Sequence, residues 1–200
     1  MGKTRLEAFS DGVLAIVITI MVLELKVPHG DSLMQLQPLL PVFLSYLLSF
    51  IYIGIYWNNH HHLLQVTQQV SGGVLWANLH LLFWLSLVPF ATAWMGENRF
   101  AAAPVALYGV VLLMASIAYW ILEQVIIAKH GGDSVLAYAI GNETKGKVSI
   151  LLYAIAVPVA FVAQWVAGAL YILVALMWLI PDRRIEHAII ERVDRTETDA

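Results

Sequence analysis

RLEAFSDGVLAIVITIMVLELKV, residues 5–27, is the stretch on which the reading of the whole chain turns. Only twelve consecutive residues in it, 12–23, are free of charge, whereas a helix needs roughly 20 to cross hydrocarbon. To span, the segment must carry Asp11, Glu24 or both toward the bilayer. Ionisable groups at that depth are costly against lipid and turn toward protein or a water-filled cavity. This helix is therefore the apolar block least suited to lie against lipid, and it belongs in the interior of an assembly. At about 100° per residue, Phe9, Val13, Ile16, Ile20, Leu23 and Val27 fall within one narrow stripe, while Ser10 and Asp11 point away from it. The stripe has two readings. One is a packing seam; the other is the lining of a pore around a symmetry axis, with rings of Ile and Leu forming a constriction that gates by dewetting.

The rest of the chain agrees with a membrane setting. Of 200 residues 60% are hydrophobic and 12% charged, too little polar surface to wrap a soluble domain of this size. The absence of cysteine removes a disulfide framework, a thiolate metal site and a cysteine nucleophile. A net charge of −3 and 11 scattered Lys and Arg cannot make the basic stripe that nucleic acid requires.

Hydropathy divides the chain into an all-α set of six spans, at 5–27, 37–57, 74–95, 101–127, 147–164 and 166–180. The 65 residues between Asp31 and Glu97 hold no charge, enough for two spans, and the polar stretch 58–69 with Ser71, Gly72 and Gly73 reads as the turn between them. The 34 uncharged residues 148–181 are expected to fold back at Gln164, Trp165 and Gly168. If both termini are cytoplasmic, nine of the 11 basic residues lie inside and only Lys26 and Arg99 outside, as the positive-inside tendency requires. Residues 1–181 then form one transmembrane domain and 182–200 a solvated cytoplasmic tail. The start, Met-Gly-Lys-Thr-Arg, looks like a signal-peptide n-region, but Glu7 and Asp11 interrupt the residues behind it and no A-x-A-like cleavage site occurs. The first helix is expected to stay.

The polar face of the first helix has partners within reach. Arg5, Ser10 and Asp11 lie on the same side of the membrane as Trp57, Asn59, His60, His61 and His62, with Asn78 and His80 at similar depth. A buried carboxylate satisfied there by arginine or imidazole donors would act as a clasp holding the helix to its own subunit.

Arg5-Leu6-Glu7-Ala8-Phe9-Ser10-Asp11 resembles a known signature: it matches the R-x-x-x-F-S-D of the transmembrane protein 175 family of potassium channels, and residues 12–19 resemble that family's first helix. Tyr56-Trp57-Asn58-Asn59-His60-His61-His62 is similar to its second helix ending, with His62 where the family more often has Arg. Leu87-Val88-Pro89-Phe90-Ala91-Thr92 with Gly96-Glu97, and Ile180-Pro181-Asp182-Arg183-Arg184, resemble two further segments. The resemblance implies the prokaryotic single-unit form: six helices per protomer, a homotetramer in the cell membrane, and a central potassium pathway lined by four copies of helix 1. It also implies the narrowest constriction at Ile16, with further layers at Thr19 or Ile20 and at Leu23. Thr19 then belongs to the layer tied to selectivity. No T-V-G-Y-G-like carbonyl filter occurs in the sequence.

Other functional classes compete. For an enzyme, the only candidate metal cluster is His60, His61 and His62, and neighbours about 100° apart on a helix do not converge on one ion; no cofactor is expected. A proton-coupled secondary transporter could use Asp11, Glu24, Glu123 and the histidines as relays. It lacks the internal repeat and paired interrupted helices of that class. A non-conducting membrane scaffold is the third.

Overall fold

The structure is a computed structural model that describes residues 2–67, 69–130 and 144–179. The expected tail lies outside the described residues. Helix α1 (Lys3–Leu23) is followed by a 3-10 segment (Leu33–Leu39), α2 (Leu40–Val66), α3 (Gly72–Ser86), α4 (Val88–Glu97), α5 (Ala102–His130), α6 (Thr144–Val159) and α7 (Gln164–Leu179). α3 and α4 run on as one apolar rod, Gly72–Glu97, so the described chain is an all-α protein of six helical segments. Four of these are long and apolar enough to cross a membrane. α6 and α7, at 16 residues each, reach about 24 Å and pair as a hairpin.

Several boundaries differ from the sequence reading, each for a local reason. α1 stops at Leu23, so Val27 lies beyond the helix and leaves the stripe. α2 does not end at Trp57: no glycine or proline intervenes between Gly54 and Gly72, and the helix runs on to Val66. Within it Asn59 Nδ2 donates back to the Ile55 carbonyl at 2.8 Å, and just beyond its end Thr67 Oγ1 donates to the Leu63 carbonyl at 2.8 Å. Ser71 caps α3 rather than extending a turn, its Oγ accepting from the Val74 N–H at 3.4 Å. The third span breaks at Leu87, two residues before Pro89, whose ring nitrogen carries no proton for the helical ladder. The last hairpin turns at 160–163, ahead of the expected Gln164, Trp165 and Gly168: short-range bonds from Phe161 N–H to the Pro158 carbonyl and from Val162 N–H to the Val159 carbonyl close it.

α5 is the centre of the protomer, packing against α3, α4, α6 and α7, while α1 packs on one side against α2, α3 and α4. Small residues let the helices approach, as membrane packing requires: Ala115, Ala118, Ala156, Ala167 and Ala175 are buried. Four buried tyrosines fill the space between them. Tyr52 donates to the Tyr171 carbonyl, Tyr153 to the Tyr52 hydroxyl at 3.2 Å, Tyr171 to the Val105 carbonyl at 3.1 Å, and Tyr108 pairs with Ser49 at 3.0 Å. Gly109 makes room for this cluster, since a Cβ there would land on the Tyr171 hydroxyl and 3.1 Å from Val157 Cγ2. Gly109→Ala is therefore expected to cost about 1–3 kcal/mol by overpacking, measured as a lower midpoint of unfolding in detergent; an unchanged midpoint would contradict the tight packing.

Candidate ion pathway and its clasp

α1 divides lengthwise into two faces. Leu6, Ser10, Leu14, Val17 and Met21, spaced by three or four, are buried against the protomer. Phe9, Ile16, Thr19, Ile20 and Leu23 are exposed, with Ile16 at 59% and Leu23 at 75%. Val13, between the faces, is half-buried. The Thr19 hydroxyl donates to the Ala15 carbonyl at 2.7 Å. Its single proton is thereby used, and the oxygen lone pairs are left as acceptors.

Beneath the stripe, a buried polar chain ties α1 to α2 and α3. Asn78 Nδ2 donates to Ser10 Oγ at 3.0 Å, and Ser10 Oγ donates to the Leu6 carbonyl at 2.9 Å. Asn78 Oδ1 pairs with His60 Nε2 at 2.7 Å. With the amide in this orientation its oxygen can only accept, so His60 carries its proton on Nε2. Sequence reasoning placed His60 among several possible partners without singling it out. What marks it is its place on the buried face of α2, seven residues after Ile53 and three before Leu63, which the reading of 58–69 as a turn concealed.

Asp11 differs from the expectation of a buried carboxylate held by arginine or imidazole. It is exposed, and it accepts from the Trp57 indole Nε1 at 3.0 Å. Arg5 is also exposed and is not brought into the cluster. The remaining histidines diverge. His61 stacks on Trp57 with centroids 6.0 Å apart and takes a 3.0 Å hydrogen bond with Gln65. His80 accepts from Trp84 Nε1 at 3.0 Å, away from the chain. His62 is half-buried, and its Nδ1 has no hydrogen-bond partner among the described residues. The Asp11–Trp57 contact is a surface latch, and a double-mutant cycle of Asp11→Asn and Trp57→Phe is expected to give a coupling of about 0.5–1 kcal/mol. Additive effects would mean that the two side chains do not hold α1 in solution.

At the other end of α1, Lys26 Nζ donates to Glu97 Oε1 at 2.8 Å, joining the segment after α1 to the end of α4. This bond raises the Lys26 ammonium above its ordinary value of 10.5. The contribution of Lys26 to this contact is therefore fully present below that value and is lost as pH climbs through the raised one.

Exposed stripe, buried anchor and charged tips together define a polytopic helical membrane protein whose first helix has one face packed on its own protomer and the other left exposed. A family model described as endosomal/lysosomal potassium channel TMEM175 matches residues 5–89. A Chryseobacterium sp. (strain P1-3) protein named as a potassium channel is 59% identical over 96% of this chain and 100% of its own length. A chicken protein named endosomal/lysosomal proton channel TMEM175 is 41% identical over 75 residues, 32% of this chain and 15% of its own. The crystal structure of a lysosomal potassium-selective channel TMEM175 homolog from Chamaesiphon minutus superposes with a TM-score of 0.76 at 28% identity, covering 89% of this chain and 96% of that one. The chain belongs to the TMEM175 family.

Proposed function

We propose that the protein is a potassium-selective cation channel of the prokaryotic cell membrane, a homotetramer with both termini cytoplasmic and a central pore lined by four copies of α1. The observation that carries this reading is the exposure of Ile16, Ile20 and Leu23 along one face of α1 while its opposite face is anchored in the protomer. A helix tipped by Asp11 and Glu24 is costly to leave against lipid, and closing copies of it around an axis removes that cost. The names of the Chryseobacterium and Chamaesiphon relatives support potassium as the permeant ion.

Ile16 forms the narrowest ring in this reading, followed by Thr19 and Ile20, then Leu23. An isoleucine ring offers a cation no ligand, so it acts by exclusion: when narrow it sheds water, and an ion would have to give up hydration without replacement. When dilated it requires partial dehydration, which the larger and less tightly hydrated potassium ion undergoes more easily than sodium. Thr19 oxygens, with their proton committed to Ala15, can replace part of the lost water. Selectivity is consequently moderate, below that of a carbonyl filter.

The test is the reversal potential of purified protein in planar bilayers under a potassium/sodium gradient. A shift toward the potassium equilibrium potential is expected. Equal permeability would overturn the selectivity, saturable proton-coupled flux would favour a transporter, and absence of current a scaffold.

A further inference from the structure

A second polar feature lies away from the stripe. At the end of the bundle where α2 and α5 finish and α6 begins, residues of α2, α5, α6 and α7 line a partly open cavity of about 210 Å³. Aromatic residues form part of its wall, Tyr52, Tyr56, Tyr119, Trp120, Tyr153 and Trp178, beside the polar Asn59, Gln124 and Ser149. Glu123 of α5 also lines it and is buried, with 4% of its surface exposed. It stands seven residues before the end of α5, about 10 Å inside the helix terminus. Lys147, exposed in the first turn of α6, lies at the mouth.

A carboxylate buried within a membrane helix is retained for a task rather than for stability. Here its setting specifies the chemistry. Tyrosine and tryptophan faces attract cations through their ring quadrupoles, most strongly where water is excluded, and cages of such rings recognise quaternary and alkyl ammonium groups. A carboxylate in the same cage supplies the counter-charge. Glu123 has a further contact of its own. A carboxylate presents about four acceptor sites, and an ammonium bound here would share it with that contact. Size sets the other limit: a cavity of about 150 Å³ takes benzene, so this one, at about 210 Å³, suits an organic cation of about eight non-hydrogen atoms. Lys147 at the entrance matches an anionic group carried some way from the ammonium, as in a zwitterionic headgroup.

We propose that this cavity, between α2, α5, α6 and α7, is a binding site for an organic ammonium group, one per chain, held by Glu123 and the surrounding aromatic rings. The ammonium can come from a phosphatidylethanolamine headgroup of the adjacent leaflet or from a soluble amine of similar size. The site is separate from α1, so its failure leaves the conduction reading standing.

Two arms test it on the full chain in detergent. Calorimetric titration with choline probes the soluble source. Native mass spectrometry after incubation with phosphatidylethanolamine or phosphatidylglycerol of identical acyl chains probes the lipid source. Binding of one molecule per chain is expected in at least one arm, weakened about tenfold or more by Glu123→Gln, which keeps the shape and removes the charge. Ser116→Phe, which fills the cavity from α5, is expected to abolish it, and it serves as the second variant should Glu123→Gln not fold. Helicity by circular dichroism establishes folding for both. Stoichiometry separates this site from the pore, where a cation on the axis would give one molecule per assembly. Absence of binding in both arms, or binding indifferent to both variants, would overturn the proposal, and equal retention of phosphatidylglycerol would overturn the lipid source.

Discussion

Replacing Ile16 with asparagine is expected to raise the resting current of reconstituted protein by about tenfold or more, a change that needs only about 1.4 kcal/mol off the barrier to ion passage. The margin is wide. Leaving a polar or charged group without compensation in a dry site costs more than that, and four asparagine amides would supply both donors and acceptors to a constriction that has none. The protomer itself should tolerate the change, because Ile16 is 59% exposed on the surface of α1. This separates the two readings of the stripe. If Ile16 packed into a seam between subunits, the amide would be stranded at a cost of about 1–3 kcal/mol per copy, and the assembly would dissociate before any current rose. Planar-bilayer recording and size-exclusion chromatography of the same preparation distinguish the outcomes. An intact assembly with unchanged current would remove Ile16 from the ion route.

The second large effect is expected at Asn78. Its side chain is fully buried and accepts from one helix while donating to another. Asn78→Leu keeps the volume and deletes both bonds. It leaves the His60 Nε2–H, on a side chain only 2% exposed, without an acceptor, whereas Ser10 keeps its bond to the Leu6 carbonyl. One orphaned donor and two lost bonds amount to about 2–4 kcal/mol. Replacing His60 by leucine in the same background should recover part of this, since removing both partners of a buried pair costs less than removing one. Unfolding of the full chain in mixed micelles, followed by helicity, measures both. A loss below about 0.5 kcal/mol for Asn78→Leu, the size typical of a surface change, would mean that the chain of bonds does not hold α1.

The two faces of α1 were legible because a helix enforces a fixed angle per residue, which sets the stripe and Ser10 on opposite sides without reference to any neighbour, although the buried face is itself mostly apolar. The stripe Phe9, Ile16, Ile20 and Leu23 is the face that the protomer leaves exposed. The class of fold was legible for a similar reason, since long uncharged runs have few other solutions. What could not be read was tertiary. Asn59 and His60 are polar, and composition placed them in a turn, yet a helix absorbs them once each finds a carbonyl or an amide. Asp11 is the converse: a carboxylate beside histidines and an arginine suggested ionic partners, but the indole of Trp57 is the donor that reaches it. The end of α1 is also a local matter, because Glu24 caps it and Val27 falls outside. The aromatic cavity gave no linear signal, as its walls come from four helices.

The short uncharged run of α1, residues 12–23, has an electrical consequence. Twelve residues rise about 18 Å, against about 30 Å for the hydrocarbon as a whole. In the proposed assembly solvent reaches Asp11 from one mouth and Glu24 from the other, and a conducting electrolyte holds each vestibule near the potential of its own bath. The transmembrane voltage then drops over the layers between them, about 1.7 times as steeply as across an unbroken bilayer, and the rings from Ile16 to Leu23 sit inside that drop.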